Sequence, residues 1–185
     1  DASPAAKQRA REALARYGLA PETEQLYPFE LSGGMARRVL IATAVTQSPR
    51  LIIADEPTPG LDAKAAGRIL GHFRELAQGG AGVLLITHDL ELALTIADQV
   101  AVFYAGQTIE VASADDFVDP AALRHPFTRA LWRAMPEHGF QPIQGAQPYP
   151  GTMAAGCPFA GQCARSTPQC REAGEVPLHS WQGGM

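Results

Sequence analysis

The sequence predicts an α/β protein. Short apolar runs at residues 51–54, 83–87 and 100–104 alternate with helix-patterned stretches at 63–78 and 90–97, the order expected of an open sheet covered by helices. With 46% hydrophobic residues in 185, the chain can bury one ordinary core and a small appendage, and 18% charged residues argue against disorder.

Each element has a local reason. Ser3 before Pro4 is a helix-start signal, and Ala10, Ala13, Leu14 and Tyr17 recur at helical spacing until Gly18 stops the run. A proline-marked connector, residues 21–28, leads to Ser32, which can cap a helix from Gly33 or Gly34 to about Gln47. The strands and helices of the α/β part follow. A fourth apolar run at 108–111, joined to the third through Gly106-Gln107, reads as a hairpin. After Pro120 come a helix over 127–134, a Pro- and Gly-rich stretch at 136–150, and three cysteines. A domain boundary is expected near residue 113, and there is no internal repeat.

The net charge of −4 is spread along the chain, so neither a basic stripe for nucleic acid nor an acidic tail is present. The longest apolar stretch, residues 81–87, is far too short to span a bilayer, and any membrane association is expected to be peripheral. The chain opens on Asp1 with no secretory leader, and its start is expected to be a cut through a longer polypeptide.

The apolar run LIIA ends in two carboxylates, Asp55 and Glu56. Ligands collect at the carboxyl ends of parallel strands, where one carboxylate can hold Mg²⁺ or its water and a neighbour can polarise the water that attacks a terminal phosphate. Asp55 suits the first role and Glu56 the second. An acidic pair after a strand is also a common strand-to-loop corner. Ser32-Gly33-Gly34 supplies the opposite charge logic, because amides at a helix start attract anions and glycines let a phosphate approach; an ordinary serine cap has the same composition. His88 follows the run at 83–87 and, if the strands are parallel, shares an edge with Asp55 and Glu56, although a lone His there is often only a polar loop residue.

The order and spacing of LSGGM, LIIADEP, PGLD and LLITHD resemble the ATP-binding-cassette (ABC) ATPases, over roughly residues 27–111. The fold this implies is the C-terminal part of a P-loop ABC ATPase: an α-helical signature subdomain (1–50), a RecA-like α/β half (51–112) and a C-terminal extension (113–185). By the same resemblance, Ser32, Gly33 and Gly34 contact the γ-phosphate of ATP held by a partner subunit, and Asp55 closes the Walker B strand. Glu56 is then the catalytic glutamate, Asp62 part of the D-loop at the dimer interface, and His88 the switch histidine. Three positions depart from the usual pattern. Met35 and Arg37 stand where Gln is common, and Pro59 where Thr or Ser is common.

No G-x-x-x-x-G-K-[ST] string occurs in the chain, so it is expected to bind ATP negligibly and to turn none over alone. HPFTRAL, beginning at His125, resembles a segment of the oligopeptide, dipeptide and nickel importer branch, and Phe127, Ala130, Leu131 and Ala134 also form a helical apolar face. Cys157, Cys163 and Cys170, spaced C-x5-C-x6-C, read better as metal ligands than as disulfides. The resemblance implies a [4Fe–4S] cluster. Thiolates suit Zn²⁺ as well, with His179 or an absent cysteine as a fourth ligand, and three uncommitted thiols remain the plain alternative.

The expected function is an ATP-hydrolysing subunit of an importer for peptides or nickel. ATP and Mg²⁺ would be its ligands, and a second ATPase subunit, transmembrane permease subunits and, indirectly, an extracytoplasmic binding protein its partners. It would sit peripherally on the cytoplasmic face of the cell membrane. A soluble ABC-type ATPase outside transport, or a metal-cluster interaction module on a cassette remnant, are the competing classes.

Overall fold

A computed structural model describes residues 3–149, 155–172, 174, 178 and 179. The chain divides into two compact units, Asp1–Leu90 and Glu91–Met185.

In the first unit, helix α1 spans Pro4–Arg16, with the Ser3 hydroxyl accepting from the Ala6 amide and Pro4 pre-set at the first turn. Two 3-10 turns, Pro21–Gln25 and Pro28–Glu30, carry the connector to helix α2, Gly33–Val45. Strand β1, Leu51–Asp55, helix α3, Ala63–Gln78, and strand β2, Gly82–Ile86, complete the unit. β1 and β2 are parallel, in register from Leu51 opposite Gly82 to Asp55 opposite Ile86. That pairing puts the residues after both strands at one edge.

The core gathers Tyr17, Ala42, Val45, Ile52, Ala54, Ile69 and Phe73. Ile52 and Ala54 alternate with exposed Leu51 and Ile53, and Leu84 and Ile86 are exposed on β2, so one face of the sheet meets helices and the other is apolar and open. Burying Ile69 and Phe73 completely is worth about 1.5–3 kcal/mol each. A buried hydrogen bond between the Tyr17 hydroxyl and His72 Nδ1 ties the end of α1 to α3. Burial there pushes the Tyr17 hydroxyl up to about 12 and pulls His72 down, since neither charged form is solvated.

Helix α4 spans Leu90–Leu94, shorter than the stretch to residue 97 that the periodicity suggested. The Thr95 hydroxyl takes the Leu92 carbonyl at 2.7 Å, competing with the helical ladder where it ends.

In the second unit, strands β3, Gln99–Tyr104, and β4, Gln107–Ser113, form an antiparallel hairpin. The turn is Ala105-Gly106, with φ of 48° and 78°, and Gln107 pairs with Tyr104 instead of turning as the sequence suggested. Two residues of positive φ match the twist of the strands. Among the described residues the sheets are thus β1–β2 and β3–β4, and the third strand finds its partner in the hairpin. Glu110 is buried, and its carboxylate accepts from the amides of Arg124 (2.6 Å) and His125 (2.9 Å), anchoring the start of helix α5, Pro126–Ala134. A short helix α6, Pro168–Glu172, carries Cys170. Tyr104, Phe127 and Phe159 form a small aromatic core, with ring centroids 4.4–5.5 Å apart.

Candidate functional site

The edge where β1 and β2 end collects the chemistry. Asp55 closes β1 with its side chain exposed. Glu56 follows in the left-handed region, φ 44°, while its amide donates to the Ile86 carbonyl at 2.9 Å. A non-glycine residue there costs about 1–3 kcal/mol and persists only where its surroundings over-determine it. Glu56 Oε1 accepts from the His88 backbone amide at 3.0 Å and from His88 Nδ1 at 2.7 Å. The carboxylate is acceptor-only, so the proton sits on Nδ1 and Nε2 remains free for other chemistry until the ring charges. This bond to His88 holds the Glu56 carboxyl below its usual range, and the same bond raises the imidazole of His88.

Glu56 Oε2 is shielded from solvent and has no hydrogen-bond partner. The carboxylate that suits Mg²⁺ and its water shell is that of Asp55, a hard oxygen donor left exposed where β1 ends.

The start of α2 is open. Ser32 and Gly33 are exposed, Ser32 Oγ accepts from the Met35 amide, and a side chain added at Gly33 would meet nothing within 4 Å. Gly34 is different, because a Cβ there would stand 3.4 Å from Leu61 Cδ2 and 3.7 Å from the Gly60 carbonyl. Asp62 caps α3, its carboxylate accepting from the Ala65 amide at 2.8 Å, which lowers its pKa. Arg37, one turn into α2, donates from Nη1 to the Glu56 carbonyl at 2.6 Å. In the sequence Arg37 stands out only as an unusual residue. Its helical spacing from Gly34 was the available signal, but nothing local said which strand end it would meet.

The Cys157 amide donates to the Cys170 carbonyl at 2.8 Å, yet the three thiols have separate side-chain partners. Cys157 Sγ lies 3.6 Å from His125 Nε2, Cys163 Sγ accepts from the Arg165 amide at 3.3 Å, and Cys170 Sγ is 3.3 Å from the Thr167 hydroxyl. The Thr167 bonds draw the Cys170 thiol below its ordinary value. Among the described residues, His179 included, no three His, Cys, Asp or Glu side chains group to hold a metal ion. The expectation of a cluster or zinc therefore does not fit these thiols as placed.

Residues 2–59 match the model for ABC transporters, and residues 109–170 match that for the C-terminal region of oligopeptide/dipeptide transporters. The chain belongs to the ABC transporter ATP-binding family. It is 39% identical over 175 residues to the oligopeptide transport ATP-binding protein AppD of Bacillus subtilis, covering 89% of this chain and 52% of that protein. It is also 39% identical over 185 residues to the dipeptide transport ATP-binding protein DppD of Haemophilus influenzae, covering 95% of this chain and 54% of that protein. A dimeric bacterial ABC transporter cassette, MJ0796, superposes with a TM-score of 0.57 at 28% identity, over 62% of this chain and 50% of the cassette. An ATP-binding subunit of an ABC transporter gives the same TM-score at 30% identity, over 70% of this chain and 54% of the subunit. The chain thus spans about half the length of the curated relatives it matches. Its α/β architecture is that of part of a P-loop ATPase.

Proposed function

We propose that this chain is the signature and Walker B part of an ATP-hydrolysing subunit of a peptide importer. The observation that carries the proposal is the hydrogen bond between Glu56 and His88 at the shared edge of β1 and β2. Glu56 orients and polarises the attacking water. His88, fixed through Nδ1, presents Nε2 to the water or the terminal phosphate. Asp55 would hold Mg²⁺ through water, and the ion would supply charge neutralisation to the phosphates. Ser32, Gly33 and Gly34 meet the γ-phosphate of a nucleotide bound to a second subunit, and the turn carrying Asp62 lies at that interface.

In this scheme residues 1–50 form the signature subdomain, 51–112 the catalytic half and 113–185 the branch-specific extension. The family placement and the peptide-transport names of the relatives support peptides as cargo; nickel has no such support. Permease subunits in the membrane, and a binding protein acting through them, complete the assembly. Among the described residues no helix is long and apolar enough to cross a membrane, in keeping with a peripheral place on the cytoplasmic face.

No phosphate-cradling glycine–lysine loop occurs in the sequence, so the 185 residues alone should not turn over ATP. The test joins this chain to such a loop in an intact cassette, assembles it with its partners, and measures Mg-ATP hydrolysis for wild type, Glu56→Gln and His88→Ala. Loss of hydrolysis with ATP binding retained is expected of both variants. Hydrolysis by the isolated chain, or a Glu56→Gln cassette as active as wild type, would overturn the proposal.

A further inference from the structure

We infer that Arg37 is a positioning residue for Glu56, making the open start of α2 and the carboxylate at the end of β1 move as one body. The inference rests on the reading that Glu56 polarises the attacking water. Glu56 is held at each polar handle but one. Its amide bonds the Ile86 carbonyl at 2.9 Å, its Oε1 bonds His88 at 2.7 Å, and its carbonyl takes Arg37 Nη1 at 2.6 Å; only Oε2 is without a partner. A charged donor on a carbonyl is among the stronger protein hydrogen bonds. It is spent here on a residue whose φ of 44° a non-glycine rarely adopts, so the three contacts together select a conformation the backbone alone disfavours.

The other end of the linkage is equally anchored. Arg38, next along α2, donates to the Gly34 carbonyl at 3.2 Å and to the Gly18 carbonyl at 3.1 Å. A Cβ added at Gly34 would stand 3.7 Å from the Gly60 carbonyl, on the turn that leads to Asp62. A shift of the α2 start therefore has a direct route to the backbone of Glu56, through Arg37. Any group seated on the Ser32 and Gly33 amides would pull on the backbone of Glu56, so anion contact at one place would set the aim of the general base at the other.

Amide exchange of the 185-residue chain tests the mechanical half. In Arg37→Ala, the Glu56 and His88 amides should exchange about tenfold faster, while amides of α3 keep their rates. Arg37→Lys, which keeps a cation of similar reach, should stay within about threefold of wild type. If Arg37→Ala does not fold, Arg37→Gln, too short to span the gap, should give the same acceleration. Unchanged exchange of both amides in a folded Arg37→Ala or Arg37→Gln chain would overturn the inference. In the intact cassette, Arg37→Ala should lower kcat and leave KM for ATP unchanged; a raised KM at unchanged kcat would overturn it as well. A wild-type cassette without ATPase activity would defeat the proposed function alone, because the exchange result needs no nucleotide.

Discussion

The edge of the β1–β2 sheet and the cysteine segment were marked by the same kind of clue, chemical side chains at suggestive spacing, and they came out differently. Glu56 and His88 lie 32 positions apart in the sequence yet share a hydrogen bond of 2.7 Å. Cys157, Cys163 and Cys170 lie within 14 residues and bond to three different neighbours. Parallel strands in register force the residues after them to one edge, whereas turns followed by a short helix impose no common focus on their side chains. Spacing is informative where regular structure converts it into position.

The comparison is broken most decisively at Glu56. Glu56→Gln in an intact cassette should lower ATP turnover by about 10²–10⁴-fold with nucleotide binding retained, measured by steady-state hydrolysis and equilibrium binding. Replacing all three cysteines by serine should leave turnover unchanged; an equal loss would make the second region part of the same machinery. Next in size is the scaffold, where Phe73→Ala empties a site only 2% exposed and should cost about 3–5 kcal/mol in denaturant unfolding of the chain.

The pH response of the pair follows from its shifts. Glu56 is lowered from 4.5, so its contribution is complete above that value and fades as pH falls through the folded pKa; His88 is raised from 6.5, so its contribution is complete below that value and fades as pH rises through the folded pKa. The pair therefore stabilises most between 4.5 and 6.5. An NMR titration of His88 should give a midpoint above 6.5 that drops in Glu56→Gln.

Among the thiols, Cys170 should react first with iodoacetamide, and Thr167→Ala should slow it severalfold. Equal protection of all three, released by a chelator, would instead mean that they share a metal. The smallest effect concerns Thr128, which is fully buried with an unpartnered hydroxyl. Thr128→Val should be neutral or stabilise by up to about 1 kcal/mol in the same unfolding experiment.

Much of this was legible in the residues. Periodicity locates α3 at 63–78 as observed, because its apolar face repeats at helical spacing and brings Ile69 and Phe73 into the core. Ser3 and Ser32 marked both helix starts, since an unpaired helical N–H needs an acceptor wherever the helix lies. The hairpin turn lies one residue earlier than Gly106-Gln107, because Ala105 takes positive φ as well as Gly106. The Tyr17–His72 bond between α1 and α3 was not legible at all, nor was Arg37 on Glu56. Both join elements through side chains whose sequence neighbours give no hint of a partner.

By itself, the sequence determined which segments fold into helices and strands, which side chains carry acid, base and anion-binding chemistry, and which family the motifs point to, because periodicity, capping and motif order are local properties. Only the tertiary structure decided that Glu56 and His88 meet, that a helix cation grips the strained backbone of Glu56, and that, among the described residues, the thiols join no group fit to hold a metal. Those outcomes depend on strand register and on packing between distant segments, which no local stretch of residues encodes.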